Sequence, residues 1–369
     1  MGIISYTVNE LKKELDLPGK LLNGPIVPIT RQRIISLINN PCSVPEDTVL
    51  IIGYDNDHSV VSYIMLLPDT IYVGNEYCRF AWLSSWWTNP EKSKSGIVAA
   101  AIYSKALSLY GGRIGAVGFA KKSYDVFRAS RRLSISLCKK GLVGYLYLDA
   151  ATFLAKRPRL RMLSFPASVC SYILNIYTNV RYNKWKRSVF DKYDFIIKYV
   201  SEIDPQLSEF ISKSASDGIF NRGGKEIGWI LRNKWIIESV LEDDFDKKYF
   251  FSNSARQFKY YAFKLYTDNK LVAFVLLKIR NASASVPYVF FYPEYGPLVT
   301  SVIISHLVEL KARTFEVFHD GLCECLLANS RPLIMIKPIE RMYLFSGKNR
   351  DVNFTSSKIQ DGDGDIVFF

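Results

Sequence analysis

The residues best suited to chemistry occupy a short loop, residues 89–96, between a predicted strand and a predicted helix. Two lysines and two serines are adjacent there: Lys92, Ser93, Lys94 and Ser95. The N–H groups at a helix N-terminus and the positive end of the helix dipole attract phosphate groups. The lysines add positive charge and the serines add hydrogen-bond donors, so we predict that this loop binds a pyrophosphate.

The elements on either side must position this loop. An aromatic run over residues 77–86 predicts a strand, and Pro90 ends it because proline cannot donate to a β-ladder. Residues 96–110 are strong helix formers with apolar residues at helical spacing, which predicts a helix. The loop is therefore expected to connect the end of a strand directly to the start of a helix.

Three tryptophans lie near the end of that strand. Regular alternation places Trp82 and Trp86 on one face and Trp87 on the other. Because large aromatic side chains dominate burial, we predict that they form walls of the core or of a cleft.

The first part of the sequence, residues 1–150, predicts an α/β module. Two apolar runs, 49–54 and 59–67, flank a turn-forming segment that contains Asp55 and Asp57, which predicts a β-hairpin with solvated turn carboxylates. The elements predicted after the helix are a strand at 113–119, a helix at 120–128, and strands at 133–137 and 142–148. Such an order gives a mixed sheet with helices on its faces.

A similar order of elements returns over residues 193–369. The predicted elements are a helix at 194–214, strands at 227–237, 260–266, 271–279 and 287–292, a helix at 297–311, a strand at 314–318, a helix at 319–329, and strands at 331–336 and 342–345. We therefore predict two modules from a duplicated fold that has diverged in sequence.

Residues 151–192 connect the two modules and hold most of the positive charge. The chain carries a net charge of +13, and this segment has nine basic residues and one acidic residue. Such a local excess disfavours a broad nucleic-acid-binding face. Polar residues interrupt the apolar run 162–180, so a membrane-spanning helix is not expected. We predict a basic amphipathic linker whose residues 156–187 contact either the protein or a membrane surface.

Metal chemistry is not expected. The six cysteines lack C-x-x-C spacing, and we predict buried thiols in a cytoplasmic protein whose N-terminus has no secretory signal. Of the three histidines, His306 falls within a helical apolar pattern and is predicted to be partly buried and hydrogen-bonded. Asp361, Asp363 and Asp365 alternate with glycine, which predicts a tight acidic turn before a last strand at 366–369 rather than a calcium loop.

The strand, loop and helix around Gly96 resemble the GNAT superfamily of acyl-coenzyme A-dependent N-acyltransferases. The signature of that family is a strand followed by Q/R-x-x-G-x-G/A at a helix start, and the corresponding run here is Ser93-Lys94-Ser95-Gly96-Ile97-Val98. Gly96 agrees with the signature. Ser93 stands where Gln or Arg is usual and Val98 where Gly or Ala is usual, while Lys92 and Lys94 supply positive charge.

The resemblance implies an α/β fold of two GNAT-like modules, each a mixed, mostly antiparallel sheet with helices on its faces. It implies acetyl-coenzyme A or another acyl-coenzyme A as co-substrate, with no metal. It also implies that these residues hold the cofactor: Trp86, Thr88, Lys92, Ser93, Lys94, Ser95, Gly96, Ile97 and Val98. Tyr124 is the candidate that protonates the leaving thiolate, although Phe127 falls at the family's acid position by register.

Two functions follow from the resemblance. The first is N-acyl transfer to a small-molecule amine, such as an amino sugar or a saccharide precursor, by direct attack on the thioester. The second is a non-catalytic scaffold on a degenerate acyltransferase fold, which is favoured by the departures at Ser93, Val98 and Phe127.

Overall fold

The computed structural model of the chain describes residues 2–17, 19–92, 95–149, 164–215, 218–240, 248–329, 332–352, 354 and 358–369. The described strands are β1 (Gly2–Thr7), β2 (Thr48–Tyr54), β3 (Val60–Val73), β4 (Glu76–Thr88), β5 (Ile114–Val117), β6 (Ile135–Tyr145), β7 (Ile196–Tyr199), β8 (Ile237–Glu238), β9 (Ser254–Ala255), β10 (Phe258–Thr267), β11 (Lys270–Arg280), β12 (Ser283–Phe291), β13 (Thr314–Val317) and β14 (Met335–Phe345). The described helices are α1 (Val8–Asp16), α2 (Lys20–Asn23), α3 (Arg31–Ile38), α4 (Ser95–Ser108), α5 (Lys121–Ser130), α6 (Ser164–Phe190), α7 (Pro205–Ser214), α8 (Gly224–Arg232), α9 (Gly296–Glu309) and α10 (Asp320–Ala328).

The chain packs into two compact units that are not continuous in sequence. The first unit comprises residues 1–139, 202–256 and 341–369, and the second comprises residues 140–201 and 257–340. Each unit therefore draws on both halves of the sequence. The predicted division into modules 1–150 and 193–369 stays a prediction, and residues 150–163 of the predicted linker lie outside the described residues.

The sheet of the first unit has the strand order β1-β2-β3-β4-β5-β14. Its ladders are antiparallel except for β4 and β5, which run parallel. Helix α4 covers one face of this sheet, where Val98 and Ile102 pack against Ile51, Ile64 and other apolar residues of the strands. This burial of apolar side chains fixes the position of α4, and with it the end of the loop that leads into the helix.

The sheet of the second unit has the strand order β6-β13-β12-β11-β10-β7. Only β12 and β13 run parallel to each other. Helix α9 buries Leu298, Val302 and Ile303 against this sheet. Both units are thus mixed, mostly antiparallel sheets with helices on their faces, which confirms the predicted α/β fold class.

Two elements of the second series differ from their predictions. Residues 227–237 were expected as a strand, but Gly224–Arg232 forms helix α8, whose first turn is capped by the Glu226 carboxylate at the Gly223 N–H. A short apolar run has no period that separates a buried helix from a strand. Residues 194–214 were expected as one helix, but β7 comes first and α7 begins only after Asp204, whose carboxylate accepts the Leu207 N–H.

Two pairs of predicted strands are each one continuous strand. Residues 133–137 and 142–148 were separated at a lysine-glycine segment, yet β6 runs through it. Gly141 is required there, because an added Cβ would lie 2.5 Å from Phe318 Cδ1. Residues 331–336 and 342–345 are likewise joined in β14. The predicted last strand at 366–369 is instead a short 3-10 turn at Ile366–Phe368.

The cysteines are less buried than predicted. Cys138 and Cys170 are exposed and the other four are half-buried, so the predicted burial of all six thiols is wrong. Cys138 lies on β6, where more exposed and less exposed residues alternate, and Cys170 lies on the exposed side of α6. None of the helices in the described ranges combines the length and the apolar content needed to cross a bilayer.

Candidate functional site

Strand β4 contains a β-bulge near its C-terminal end. In the β3–β4 ladder Met65 pairs with Ser84 and Tyr63 pairs with Trp87, so two residues of β4 stand opposite one residue of β3. Ser85 adopts a left-handed backbone conformation with φ +49°. A bulge of this kind bends the strand and changes the direction of the side chains that follow.

The bulge corrects the predicted faces of the tryptophans. Trp86 lies on the α4 side of the sheet, where its ring stacks on Tyr103 at 5.1 Å. Trp82 lies on the opposite side and packs against Phe220 at 4.9 Å, and Trp87 stacks on Phe250 at 4.3 Å. Trp82 and Trp86 therefore do not share a face, because the extra residue breaks the alternation.

Strands β4 and β5 pair over only three residues. Their parallel ladder joins Ala81–Leu83 to Ile114–Ala116. Beyond it β4 continues to Thr88, while β5 ends at Val117 and Gly118 turns the chain with φ +65°. In the described ladders, the edge of β4 from Ser84 to Thr88 thus has no partner from β5.

The loop between β4 and α4 leads to an open helix N-terminus. Ser95 ties the loop together, since its Oγ donates to the carbonyls of Asn89 and Lys92. Among the described residues, apart from its chain neighbours and its own helix, no atom lies within 4 Å of the position that a Cβ on Gly96 would take. Ile97 points outward and is 69% exposed, whereas Val98 is buried against the sheet. The first turn of α4 therefore has space above it at Gly96.

The predicted lysine and threonine contacts are partly taken by other side chains. Lys92 forms an ion pair with Asp55 in the β2–β3 turn. That contact is the main reason why the pKa of Asp55 lies below its usual value. Thr88 Oγ1 lies 3.0 Å from Ser62 Oγ. Ser93 and Lys94, which the sequence also assigned to the cofactor, lie outside the described residues.

Tyr124 lies on α5, the helix that follows β5. It is half-buried, and its ring stacks on Phe119 at 5.9 Å. Phe127 is buried one turn later and stacks on Trp86 at 5.7 Å. Phe127 joins Trp86 in the core beneath the bulge, and Tyr124 lies at the edge of that core.

A fully buried arginine, Arg33, lies on the other face of the bulge, and no sequence pattern predicts its burial. Arg33 of α3 donates from Nη1 to Ser85 Oγ at 2.7 Å. Its guanidinium lies 4.3 Å from the Trp235 ring centroid and 4.8 Å from that of Phe369. The pKa of Arg33 lies below its usual value. Burial is the main cause, and the neighbouring Tyr249 acts in the other direction. An arginine in a surface helix is normally exposed, so only its tertiary contacts reveal that Arg33 is buried.

The acidic turn at the end of the sequence is buried beside the same strands. Asp365 accepts a hydrogen bond from Ser84, and Asp363 accepts from Arg222 Nε at 2.7 Å. Gly364 has φ +82°, and an added Cβ would lie 2.6 Å from Val117 Cγ1. The predicted tight turn is therefore present, and its three aspartates are buried.

Metal ligation finds no support in the described ranges. No three His, Cys, Asp or Glu side chains converge there in a way that would hold a metal ion.

No family model and no curated protein matches the sequence. Solved structures match it in fold. The structure of Saccharomyces cerevisiae N-myristoyltransferase with bound myristoyl-CoA and inhibitors is 11% identical, over 99% of this chain and 84% of that one, with a TM-score of 0.51. The chain has a GNAT-like fold. The resemblance predicted from the loop at Gly96 is thereby confirmed at the level of the fold.

Two further structures are similar to this chain in fold. A second Saccharomyces cerevisiae N-myristoyltransferase structure with bound myristoyl-CoA is 12% identical over 94% of this chain and 78% of that one, with a TM-score of 0.50. A tandem GNAT protein from the clavulanic acid biosynthesis pathway is 12% identical over 94% of this chain and 98% of that one, with a TM-score of 0.47. At 12% identity, the N-myristoyltransferase structure shows a likeness of fold alone.

Proposed function

We propose that the chain is an acyl-coenzyme A-dependent N-acyltransferase whose acyl-coenzyme A lies beside β4 in the first unit. The observation that carries the proposal is the early end of the β4–β5 ladder at Leu83, combined with the bulge at Ser85. The backbone of Ser84–Thr88 faces the gap that β5 leaves. Extended amide-containing groups, such as the pantetheine arm of coenzyme A, pair well with such an edge.

The pyrophosphate of coenzyme A is assigned to the N-terminus of α4. The space above Gly96 lets an anion approach the first-turn N–H groups, and no acidic residue lies in that turn. The bound myristoyl-CoA in the yeast N-myristoyltransferases supports an acyl-coenzyme A as the co-substrate. The residues we assign around it are Trp86, Thr88, Lys92, Ser93, Lys94, Ser95, Gly96, Ile97 and Val98.

In the proposed reaction an amine attacks the thioester carbonyl directly. A C–N bond forms and the C–S bond breaks, the amine loses one proton, and the departing thiolate gains one. We assign the second proton transfer to Tyr124, because α5 follows β5 immediately after the strands diverge. The acceptor class we propose is a small-molecule amine such as an amino sugar or a saccharide precursor.

Calorimetric titration with acetyl-CoA, desulfo-CoA and myristoyl-CoA tests the proposal. We expect binding of at least one acyl-CoA, and an affinity at least about tenfold weaker for Gly96→Asp because the carboxylate repels the pyrophosphate. An aspartate in the first turn of a helix favours the helix itself, so this variant should remain folded. Gly2→Asp is the matched control, since Gly2 also has open space around it.

Two results would reject this function. One is no detectable heat with any acyl-CoA at millimolar concentration, in protein whose circular dichroism shows a folded state. The other is equal affinity for Gly96→Asp and the wild type.

A non-catalytic scaffold is the second candidate. The observation that favours it is that the acidic turn packs against β4 and β5, the strands beside which the acyl-coenzyme A is proposed to lie. Ser84 donates to Asp365. Gly118 lies against Ile366, because a Cβ added to Gly118 would be 2.8 Å from Ile366 Cδ1. A release assay for free coenzyme A thiol, with a panel of amines, separates the two. Turnover of any acyl-CoA and amine pair excludes the scaffold.

A further inference from the structure

Helix α6 packs on the second unit through a stripe that is polar at first and aromatic toward its C-terminal end. The stripe comprises Ser171, Asn175, Thr178, Tyr182 and Trp185, which recur at heptad spacing and so lie on one side of the helix. Asn175 binds the backbone of Leu148 through both its amide nitrogen and its oxygen. Tyr182 OH lies 2.6 Å from Ser305 Oγ. These bonds and the burial of Tyr182 and Trp185 fix which side of α6 faces the protein.

The opposite side of the same helix is apolar and exposed. It carries Phe165, Val169, Tyr172, Ile173, Ile176 and Val180. Phe165 is 79% exposed, Tyr172 is 69% and Ile173 is 59%. A surface helix of a globular protein normally turns its apolar side to the core and its polar side to water. Over its first four turns α6 does the reverse, and a contiguous apolar surface of this kind marks a contact with an apolar partner.

The C-terminal turns of α6 add positive charge to that surface. The helix carries Arg181, Lys184, Lys186 and Arg187 and no acidic residue. Lys186 is paired with Glu309 at 2.9 Å. Lys184 and Arg187 are exposed and continue the line of Ile173 and Ile176 along the helix. The outer side of α6 is thus apolar along most of its length and basic at one end.

We propose that the outer side of α6 binds the surface of an anionic lipid membrane, with the helix lying in the plane of the interface. A membrane offers both chemistries that this side needs: acyl chains for the apolar turns and anionic headgroups for the cations. A second copy of the chain does not. In a symmetric pair of α6 helices, Lys184 and Arg187 would face either the same cations or the apolar turns of the partner helix.

This binding goes beyond the proposed acyl transfer and does not depend on it. Because vesicle binding is measured without acyl-CoA, its failure and a failure to bind acyl-CoA are separate results.

Co-sedimentation of the full chain with vesicles tests the proposal. We expect the protein to sediment with vesicles of phosphatidylcholine and phosphatidylglycerol, more weakly with phosphatidylcholine alone, and less as salt rises. Ile173→Glu should weaken binding at least about tenfold, because it places a carboxylate in the apolar contact and near the anionic headgroups. Leu327→Glu is the matched control: Leu327 is 65% exposed on α10 of the same unit and should be without effect.

A double charge reversal, Lys184→Glu with Arg187→Glu, separates the two contributions. It should remove the preference for anionic vesicles and leave the weak binding to phosphatidylcholine in place. Three results would overturn the proposal: no binding of the wild type to anionic vesicles, equal binding of Ile173→Glu, or a dimer in sedimentation equilibrium that Ile173→Glu dissociates while vesicles are not bound.

Discussion

Arg222 forms ion pairs with two buried aspartates in the first unit. Its Nη1 and Nη2 donate to both oxygens of Asp69 at 2.9 and 2.7 Å, and its Nε donates to Asp363. Asp69 also accepts from Trp82 Nε1 at 2.9 Å. Burial holds the pKa of Asp363 above its usual value even though Arg222 lowers it. The arginine therefore keeps the acidic turn in place against the strands that carry the candidate site.

Replacing Arg222 by methionine should destabilise the protein strongly. The change leaves Asp69 and Asp363 buried without their cation, and breaking a buried pair from one side costs about 3–5 kcal/mol. Lys213→Met removes an exposed pair with Glu209 in the same unit and should have little effect, because water and salt screen exposed ion pairs. Urea unfolding of both variants measures the difference, and equal midpoints would contradict the role given to Arg222.

His306 is buried and hydrogen-bonded, as its place in a helical pattern predicted. Its Nδ1 lies 2.8 Å from the Val302 carbonyl, which can only accept, so Nδ1 carries the proton. Nε2 then accepts from Tyr199 OH at 2.8 Å. The ring also stacks on Phe263 at 4.4 Å. Burial is the main reason why the pKa of His306 lies below its usual value.

This histidine should make the protein less stable in mild acid. A folded-state pKa below the unfolded value of about 6.5 gives a stabilisation that is complete above that pH and is lost as the pH falls through the folded value. The loss can reach about 1.4 kcal/mol per pH unit. His306→Gln should lose this part of the pH dependence in urea unfolding between about pH 5 and pH 8, whereas His58→Gln, in an exposed turn, should keep it. Identical slopes for His306→Gln and the wild type would count against the assignment.

Single residues were predictable where a local pattern governs them. His306 stood among apolar residues at helical spacing, and Gly96 stood at a helix start, so their surroundings could be predicted. Arg33, Arg222 and Asp363 could not be, because a charged residue is buried only through partners far away in the sequence.

At the scale of elements, α4 depends on a glycine in the strand beneath it. An added Cβ on Gly53 of β2 would lie 2.0 Å from Val98 Cγ1. The side chain of Val98 has little rotamer freedom in a helix because it is β-branched. Gly53 thus allows α4 to approach the sheet closely, and with it the loop that contains Lys92.

Gly53→Ala should displace α4 and destabilise the protein by about 1–3 kcal/mol through overpacking. Val98→Ala removes the atom that the new methyl group meets. The double variant should therefore be more stable than the sum of the two single effects, which a double-mutant cycle in urea unfolding measures. Additive single effects would mean that the two residues do not meet.

The sequence predicted the type of most elements but not their irregularities. The hairpin of β2 and β3, strand β4 and helix α4 were all confirmed. The β-bulge at Ser85 was missed, since one extra residue leaves no mark on composition and yet reverses the faces of Trp86 and Trp87. Helix α8 was predicted as a strand because its short apolar run fits either structure.

At the scale of the molecule, each unit contains a strand from the other half of the sequence. Residues 343–345 of β14 pair with β5 in the first unit, and residues 142–145 of β6 pair with β13 in the second. The first unit also requires residues 202–256, which supply Arg222, Phe220 and Trp235 to its interior. Neither half of the sequence therefore holds all of one core.

Residues 1–150 alone should not fold. The fragment lacks β14, the cation for Asp69 and the aromatic partners of Trp82. We expect narrow amide dispersion in a proton–nitrogen correlation spectrum and no cooperative transition in urea, where the full chain has both. A steep unfolding transition from the fragment would show that the exchanged strand is dispensable.

The order of elements was enough to predict the α/β fold class, and the loop at Gly96 was enough to predict the resemblance to GNAT proteins. The exchange of β6 and β14 was not predictable. Strand partners are chosen by the complementary faces of distant segments, and the local pattern of a strand does not specify which neighbour it pairs with.

Because synthesis proceeds from the N-terminus, β14 is made long after its partner β5, whereas β6 is made before its partner β13. β5 leaves the ribosome long before β14 is made, and until then its edge offers unpaired N–H and C=O groups to other strands. β6, for its part, is complete before β13 exists. The strands of the first unit are therefore the first to be synthesised, but its sheet is complete only when β14 is made. Through most of translation, the nascent chain must keep the free edge of β5 from pairing with a wrong strand.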